Sequence, residues 1–468
     1  MRERTPKRTR SFGSALLLGL FYDEPRPSVS IIRRSFAESS GYPTRSSKPF
    51  SQEELSDVET TRLLPPRRLP LQDSRVLSLT LGAAGPMTAN ALGYFGAEVV
   101  HVESRMRPDG HRGGNDPNAW DKTPFFVKIH RNFQSATINF NTKSGLDLVK
   151  QLVQVSDVVI ENFSLGVLPR LGLDYPNIRK IRPDIVMAGL RGYGSTGPWA
   201  SYASWGPNLG AMLGMSYLWN YPDAETPTAE ARSQHPDFLS GVCGAFAVMA
   251  ALIHRRKTGE GQWIDLSQAE VGSMTLAPIF LDTLVNHRES RPRGNRHWGS
   301  GLQGVYPCAG EDQWCAISIE TEAQWNAFCE ALGRPDWARG VTLTMVASSP
   351  ARQAEIERGV RRWTQSLTKY DVMARLQSCK IPAAAVQDVE DEVKRDPQYR
   401  SRNFFVEMEE LEMGKVAAER LPILLSKTPG SFRTSTPFFG EHTRVVCQAL
   451  LGKDDGQFTE LQAEKALY

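Results

Sequence analysis

Short apolar runs alternate with helical patterns over residues 76–190, and this alternation limits the fold more than any other feature of the chain. The apolar runs have the length of buried strands and lie at 76–80, 96–102, 157–160 and 185–190. Helical spacing occupies residues 87–95, 143–155, 168–173 and 175–181. Strands that alternate with helices of this length predict an α/β fold with a parallel sheet covered on both faces. Ligands bind such sheets at the carboxyl ends of the strands.

Changes in composition divide the chain into four segments. Residues 1–68 are rich in Arg, Ser and Pro, which predicts a disordered or loosely attached N-terminal extension. The alternating pattern predicts a large α/β domain over residues 69–275. Strands and amphipathic helices then predict a smaller α+β domain over 276–396, and the polar, irregular stretch 397–468 is expected to return to the large domain.

Composition argues against a membrane protein and against a nucleic-acid-binding protein. Of the 468 residues, 40% are hydrophobic and 23% are charged, as in an ordinary soluble globular protein. The early apolar run Ala15–Tyr22 is far shorter than the roughly 20 residues of a spanning helix. The net charge of +3 arises from the N-terminal extension, so no basic stripe in the body of the chain marks a nucleic-acid surface.

The cysteine pattern bears on metal binding and on location. The six cysteines form no C-x-x-C pair and show no metal-binding spacing with histidine. They are typical of reduced structural thiols in an intracellular protein, so no metal is expected, and we predict a cytoplasmic protein. The Arg-rich extension leaves mitochondrial import open, although Glu3, Asp23 and Glu24 are acidic residues of a kind that import signals avoid.

Candidate phosphate-binding residues lie where predicted strands end. Because neither G-x-G-x-x-G nor G-x-x-x-x-G-K-[ST] occurs, nicotinamide and P-loop chemistry are disfavoured. Asn162, Arg170 and Arg191 lie at or just past strand ends, where amide and guanidinium groups can hold phosphate oxygens. Each of them alone is more typical of a solvated surface residue. The glycine-rich stretch 291–304 predicts either a mobile lid or an interdomain linker.

Asp237 stands just ahead of a long helix of small residues, predicted over 241–256. A carboxylate at a helix start accepts backbone N–H bonds and is favoured by the helix dipole, which keeps it ionised at neutral pH. Such a carboxylate can attack an activated acyl group, or it can simply cap the helix. On the local pattern alone, capping is the more common role.

Several separated motifs along residues 69–468 recur in the order and spacing of one enzyme family. They comprise Gly96-Ala-Glu-Val-Val-His-Val-Glu103, Asp157-Val-Val-Ile-Glu-Asn-Phe163, Gly166-Val-Leu-Pro-Arg-Leu-Gly-Leu173, Gly192-Tyr-Gly-Ser-Thr-Gly-Pro198, the stretch 256–268, Gly304-Val-Tyr-Pro-Cys308 and Gly440-Glu-His-Thr443. Together they resemble family III CoA-transferases, the formyl-CoA and carnitine CoA-transferase group.

The resemblance implies a Rossmann-like large domain, a smaller α+β domain and an interlocked homodimer. It also implies transfer of CoA from an acyl-CoA thioester to a carboxylic acid through an aspartyl-CoA intermediate, with Asp237 as nucleophile. Coenzyme A is then substrate and product, and no cofactor is permanently bound. The implied coenzyme-binding residues are Ala83, Ala84, Arg105, Asn162, Phe163, Arg170 and Arg191. The implied glycine loop, which shields the acyl-aspartate, contains Gly299 and Gly301.

Departures from the family pattern leave two alternatives open. The first is an acyl-CoA racemase or epimerase of the same fold. Such enzymes carry Gly-His-Asp where this chain has Ser204-Trp-Gly206, so this chain lacks the histidine that would serve as the second acid/base group. A non-catalytic CoA-binding homologue is the other alternative, because Asn132-Phe-Gln-Ser135 lacks a usual cation and Ser104 replaces an arginine. Donor and acceptor are not specified, although four aromatic residues indicate an apolar or bulky substrate. These are Trp205, Tyr217, Trp219 and Trp298.

Overall fold

The computed structural model describes residues 69–113, 120–225, 235–296 and 301–467, which fall in one compact unit. A six-stranded sheet with the order β3-β2-β1-β4-β5-β6 is parallel throughout. Its strands are β1 (Arg75–Leu79), β2 (Glu98–Glu103), β3 (Phe133–Thr137), β4 (Val158–Glu161), β5 (Val186–Arg191) and β6 (Trp263–Ser267). The remaining strands are β7 (Leu302–Pro307), β8 (Trp314–Ile319), β9 (Ala383–Ala385), β10 (Phe405–Glu410) and β11 (Gly414–Glu419).

Ten α-helices precede β7 in the described residues. They are α1 (Ala84–Tyr94), α2 (Pro124–Ile129), α3 (Lys143–Val155), α4 (Val167–Leu171), α5 (Tyr175–Ile181), α6 (Gly206–Met212), α7 (Met215–Leu218), α8 (His235–Thr258), α9 (Gln268–Met274) and α10 (Ala277–Asn286). Among them, α1, α3 and α8 pack against the parallel sheet. The later helices are α11 (Glu322–Ala331), α12 (Leu343–Ser348), α13 (Pro350–Thr364), α14 (Lys369–Ser378), α15 (Pro397–Ser401), α16 (Thr443–Val445) and α17 (Asp455–Ala463).

The parallel sheet is buried on both faces, as its apolar strands predict. One face carries a core that includes Leu77, Val100 and Leu148, and the other packs Val76, Val99 and Val248. The strand order reverses between β1 and β4, so the loops that follow these two strands diverge to opposite faces and leave a crevice between them. The mixed α/β architecture with a parallel sheet confirms the fold class expected from the sequence.

A second core lies around the antiparallel sheet β7-β8-β9. Trp325 and Phe328 of α11 are buried in this core, together with side chains of α13 and α14. Strands β10 and β11 form an antiparallel hairpin in a stretch where the sequence predicts irregular structure. Alternating burial along β10 is weak, which is why its pattern resembles a surface segment.

The last residues described pack against the large sheet. Thr443 accepts a hydrogen bond from the backbone N–H of Thr137 at 2.9 Å, and Ile138 forms a bridge with Leu467. Phe458 of α17 is buried in the same core as Leu77. The C-terminal residues therefore hold the end of β3 in place.

Helix α8 packs closely against α1 through glycines. A Cβ atom added at Gly241 would lie 2.7 Å from the Cβ of Met87, and one at Gly244 would lie 2.6 Å from Oγ1 of Thr88. Later residues of α8 face later residues of α1, so the two helices run parallel. The first turn of α8 therefore lies level with the start of α1. Within the described ranges, α8 alone has the length and hydropathy to cross a membrane, a property that the sequence expectation overlooked. Its small-residue face is instead part of the sheet's core.

Candidate active site

A cavity of about 350 Å³ opens at the carboxyl ends of the first four strands of the parallel sheet. Thr80 and Leu81 follow β1, Ser104 follows β2, and Phe163 follows β4, and all four line this cavity. We call it the strand-end cavity. It lies at the reversal of strand order, where α/β sheets bind their ligands.

Asn162 supports the loop between β1 and α1. Its Oδ1 accepts a hydrogen bond from the N–H of Leu81 at 2.9 Å, and its Nδ2 donates one to the carbonyl of Leu81 at 2.5 Å. The sequence places Asn162 correctly at the strand end, but its side-chain amide forms both of these hydrogen bonds with the protein backbone. Its role in this structure is to shape the loop that leads to Ala83 and Ala84, both of which are buried.

Asp109 holds the same loop from the other side. One carboxylate oxygen accepts a hydrogen bond from the N–H of Gly82 at 2.8 Å, and the other accepts one from the N–H of His111 at 2.8 Å. The side chain is fully buried, and burial raises the pKa of Asp109 to about 7. The sequence interpretation missed this residue because its partner Gly82 is distant in the chain.

Arg191 is engaged with neighbouring protein groups. Its guanidinium donates to Oε1 of Glu161 at 2.5 Å and to the carbonyl of Phe163 at 3.2 Å. Glu161 is fully buried, so Arg191 compensates its charge. The predicted contact of Arg191 with a phosphate would compete with these bonds.

Two arginines present cationic side chains to the strand-end cavity. Arg107 and Arg170 both line it, both are exposed, and no ion pair to either guanidinium occurs among the residues described. Arg105 instead lies over the ring of Phe439, 5.7 Å from its centroid, and is absent from the cavity wall. Arg107, two residues after Arg105, was missed by the sequence interpretation, although it follows the same strand end.

Asp237 is the third residue of α8 and is only 8% exposed. It lies one helical turn ahead of Gly241, on the buried face that contacts α1. No described residue donates a hydrogen bond to its carboxylate. The backbone N–H bonds expected from the sequence therefore do not determine its protonation state. Burial raises the pKa of Asp237 to about 6, which still leaves most of the group ionised at neutral pH.

The glycine loop cannot be placed in full. Gly299 and Trp298 lie outside the described residues. Gly301 directly precedes β7, where an added Cβ atom would meet the carbonyl of Ile319, so close approach of two strands explains this glycine. Within residues 69–113, 120–225, 235–296 and 301–467, no cluster of metal-ligating side chains occurs.

The profile of CoA-transferase family III matches residues 71–443. The chain belongs to this family. The match includes the loop after β1, the strand-end cavity and Asp237, and it confirms the family resemblance of the sequence motifs. Family III comprises enzymes that act on CoA thioesters, so no resident cofactor is indicated.

Relatives of this family extend along most of the chain. The beta subunit of succinyl-CoA–L-malate CoA-transferase from Chloroflexus aurantiacus is 31% identical over 85% of this chain and 98% of its own length. A probable CoA-transferase from Mycobacterium tuberculosis is 30% identical over 85% of this chain, which spans about half (50%) of that longer protein. A CAIB/BAIF family protein from Brucella suis has a similar crystal structure, with a TM-score of 0.74, 28% identity, and coverage of 82% of this chain and 100% of that one.

Proposed function

We propose that the protein moves CoA from an acyl-CoA thioester to a carboxylic acid, with Asp237 as the covalent carrier. The observation that carries this proposal is the position of the Asp237 carboxylate, which is nearly buried and lies level with the start of α1. A carboxylate with little water around it and no described hydrogen-bond donor is a better nucleophile than a solvated one.

The proposed reaction divides one exchange into four steps. The Asp237 carboxylate attacks the thioester carbonyl of the donor, which forms a mixed anhydride and releases CoA thiolate. The thiolate attacks the Asp237 carbonyl, which forms aspartyl-CoA and releases the donor acid. The acceptor carboxylate then attacks aspartyl-CoA to form a second anhydride and free thiolate. Attack of this thiolate on the acceptor carbonyl gives the new acyl-CoA and restores the carboxylate.

The strand-end cavity supports binding of the coenzyme. Its exposed cations Arg107 and Arg170 suit phosphate groups, and Phe163 offers an aromatic face to a base or a pantetheine chain. The name of the Chloroflexus relative couples succinyl-CoA with malate, which supports an acyl-CoA and a carboxylate as the two substrates. The coenzyme is therefore proposed to enter and leave with each turnover.

Chemical trapping tests the covalent step directly. Protein mixed with an acyl-CoA and then treated with hydroxylamine should carry a hydroxamate on Asp237, because hydroxylamine attacks both the anhydride and aspartyl-CoA. Mass spectrometry of the peptide that contains Asp237 measures this change. Exchange of CoA without any modification of that peptide would show that the carrier is another group.

The pH dependence of acyl-enzyme formation follows from the pKa of Asp237. The nucleophile must be ionised, and burial raises its pKa to about 6, so the rate is present above that pH and is lost below it. We expect the rate of acyl-enzyme formation to fall about tenfold for each pH unit below the pKa of Asp237. Rapid-quench trapping at limiting acyl-CoA, from about pH 5 to pH 8, measures this limb for the free protein.

Asp109 requires a control, because its pKa is also raised, to about 7. An Asp109→Asn variant removes that second titrating group while keeping an oxygen that accepts the Gly82 N–H. The limb near pH 6 should persist in this variant. A limb that disappears with Asp109→Asn would assign the titration to Asp109 and contradict the prediction.

We also propose that the protein is a homodimer, as the family resemblance implies. Helix α10 has no buried residue, and its Leu281, Leu284 and Val285 are more than half exposed. Phe246 of α8 is 72% exposed on the side away from α1. Soluble monomers rarely expose apolar faces of this kind, so a second copy is the proposed cover.

Replacement of Leu284 by Glu should weaken this association. A charge placed in an apolar contact lacks a partner, and we expect the dimer dissociation constant to rise at least about tenfold. Sedimentation velocity over a concentration series measures it. Met345→Glu, an exposed apolar position on α12, is the matched control and should remain dimeric. A wild-type monomer, or equal association of Leu284→Glu and wild type, would contradict the proposal.

A further inference from the structure

A segment rich in aromatic residues and free of basic ones borders the proposed catalytic region. Residues 192–231 contain no Lys or Arg. The same stretch contains seven aromatic residues: Tyr193, Trp199, Tyr202, Trp205, Tyr217, Trp219 and Tyr221. Six of these, all except Tyr193, are between 46% and 69% exposed. The exposed cations Arg107 and Arg170 lie elsewhere, at the strand-end cavity.

Trp205 lies against the loop between β1 and α1. A Cβ atom added at Gly82 would be 3.9 Å from Cζ3 of Trp205, so one edge of the indole lies beside that glycine. Gly82 has a φ of +75°, a conformation in which any other residue is strained, and Asp109 holds its N–H. The indole is 69% exposed and therefore presents an open aromatic face beside the start of α1.

Trp219 flanks the first turn of α8. Its ring centroid lies 5.4 Å from that of His235, two residues before Asp237, in an edge-to-face contact. Trp219 is 46% exposed. Two indoles thus border the region of Asp237, one through Gly82 and one through His235.

We infer that the acyl group handled by this protein is aromatic or bulky and apolar, rather than a short dicarboxylate. This inference rests on the proposed function of Asp237 and specifies its substrate class. The second carboxylate of a dicarboxylate requires a cation or several hydrogen-bond donors when it leaves water. Residues 192–225 supply two indole faces and no cation of their own, which favours an aryl or branched apolar group. Two cations lie nearby, but both are paired with carboxylates: Lys128, over the ring of Phe238, with Glu419, and Arg291, beside Tyr217, with Glu289.

Binding of two unreactive coenzyme analogues tests the inference without any transfer. S-(3-phenylpropyl)-CoA and S-(3-carboxypropyl)-CoA are thioethers of equal reach, which cannot be attacked by Asp237. Calorimetry should show that the phenylpropyl analogue binds at least about tenfold tighter to the wild type. In Trp205→Ala this ratio should fall to about threefold or less, because the aromatic face is lost.

Trp199→Ala is the matched control. Trp199 is 50% exposed in the same segment, but it packs on Tyr193 and Tyr202 rather than beside Gly82, so the ratio should stay at the wild-type value. The inference is overturned if the carboxypropyl analogue binds as tightly, if neither analogue binds, or if Trp205→Ala and Trp199→Ala give the same ratio. If the phenylpropyl analogue still binds tighter but the protein forms no hydroxamate on Asp237, the proposed function is rejected and the apolar acyl site is retained.

Discussion

Replacement of Asp237 by Asn is expected to abolish CoA transfer, with kcat reduced by at least about 10⁴-fold. An amide cannot form the anhydride that begins the proposed reaction. The fold should persist, because Asn has the same shape as Asp. The substitution also removes a charge from a buried position, where burial had raised the pKa of the carboxyl group. Isotope-labelled CoA exchange between two acids, scored by mass spectrometry, measures the loss.

Glu270→Gln is the control for this substitution. Glu270 is also a carboxylate in the first turn of a helix, α9, but it is exposed and outside the strand-end cavity. It should exchange CoA at the wild-type rate. An Asp237→Asn protein that matched Glu270→Gln in activity would show that the covalent carrier is not Asp237.

The sequence pattern predicts the helices and strands best where periodicity is strong. The predicted bounds of 143–155 and 175–181 agree with α3 and α5, because apolar side chains recur at helical spacing in both and each follows an N-cap residue, Thr142 or Asp174. Strand β3 was missed, since Phe133-Gln-Ser-Ala-Thr137 has two polar residues in a buried position and no apolar run. Its burial arises from β2 and the C-terminal residues, which no local pattern reveals.

Side-chain partners were harder to predict than positions. Asn162 and Arg191 both lie at the predicted strand ends, yet Asn162 bonds to Leu81 and Arg191 to Glu161. These partners are 81 and 30 residues away along the chain, and only the parallel sheet brings them together. The free cations of the cavity are therefore Arg107 and Arg170, of which the sequence interpretation included one.

The racemase alternative receives no support from the environment of Trp205. Its indole is exposed beside Gly82, and the indole N–H is too weak an acid to serve as an acid/base group near neutral pH. A second acid/base group would have to come from elsewhere in the site. The exposed aromatic face fits the recognition of an acyl group more simply than proton transfer.

Replacement of Arg112 by Met is expected to lower the free energy of unfolding by about 3–5 kcal/mol. Arg112 is fully buried and binds Glu103 through Nε at 3.0 Å and Nη2 at 2.6 Å. Its guanidinium also contacts Asp121 and lies 4.0 Å from the ring centroid of Phe126. Without it, the only ionisable partner of Glu103 among the described pairs is His101, 3.8 Å away, and burial lowers the pKa of His101 to about 4, so this imidazole carries no charge at pH 7. Urea unfolding at pH 7 measures the loss.

The pH dependence of this loss distinguishes an uncompensated charge from a packing defect. Burial would raise the pKa of Glu103, but the charge and hydrogen bonds of Arg112 hold it below the ordinary value, so the pair stabilises the fold at neutral pH and loses this effect in acid. In Arg112→Met, burial dominates and raises the pKa of Glu103, so Glu103 takes up a proton as the pH falls. The loss of stability relative to the wild type should therefore shrink toward pH 5.

A further Glu103→Gln substitution should recover part of the loss at pH 7, because the unpaired charge is then absent. Arg334→Met, in an exposed pair with Glu330, should cause no measurable change. If Arg112→Met costs no more than Arg334→Met, or its deficit is the same at both pH values, the pair does not stabilise the fold through charge.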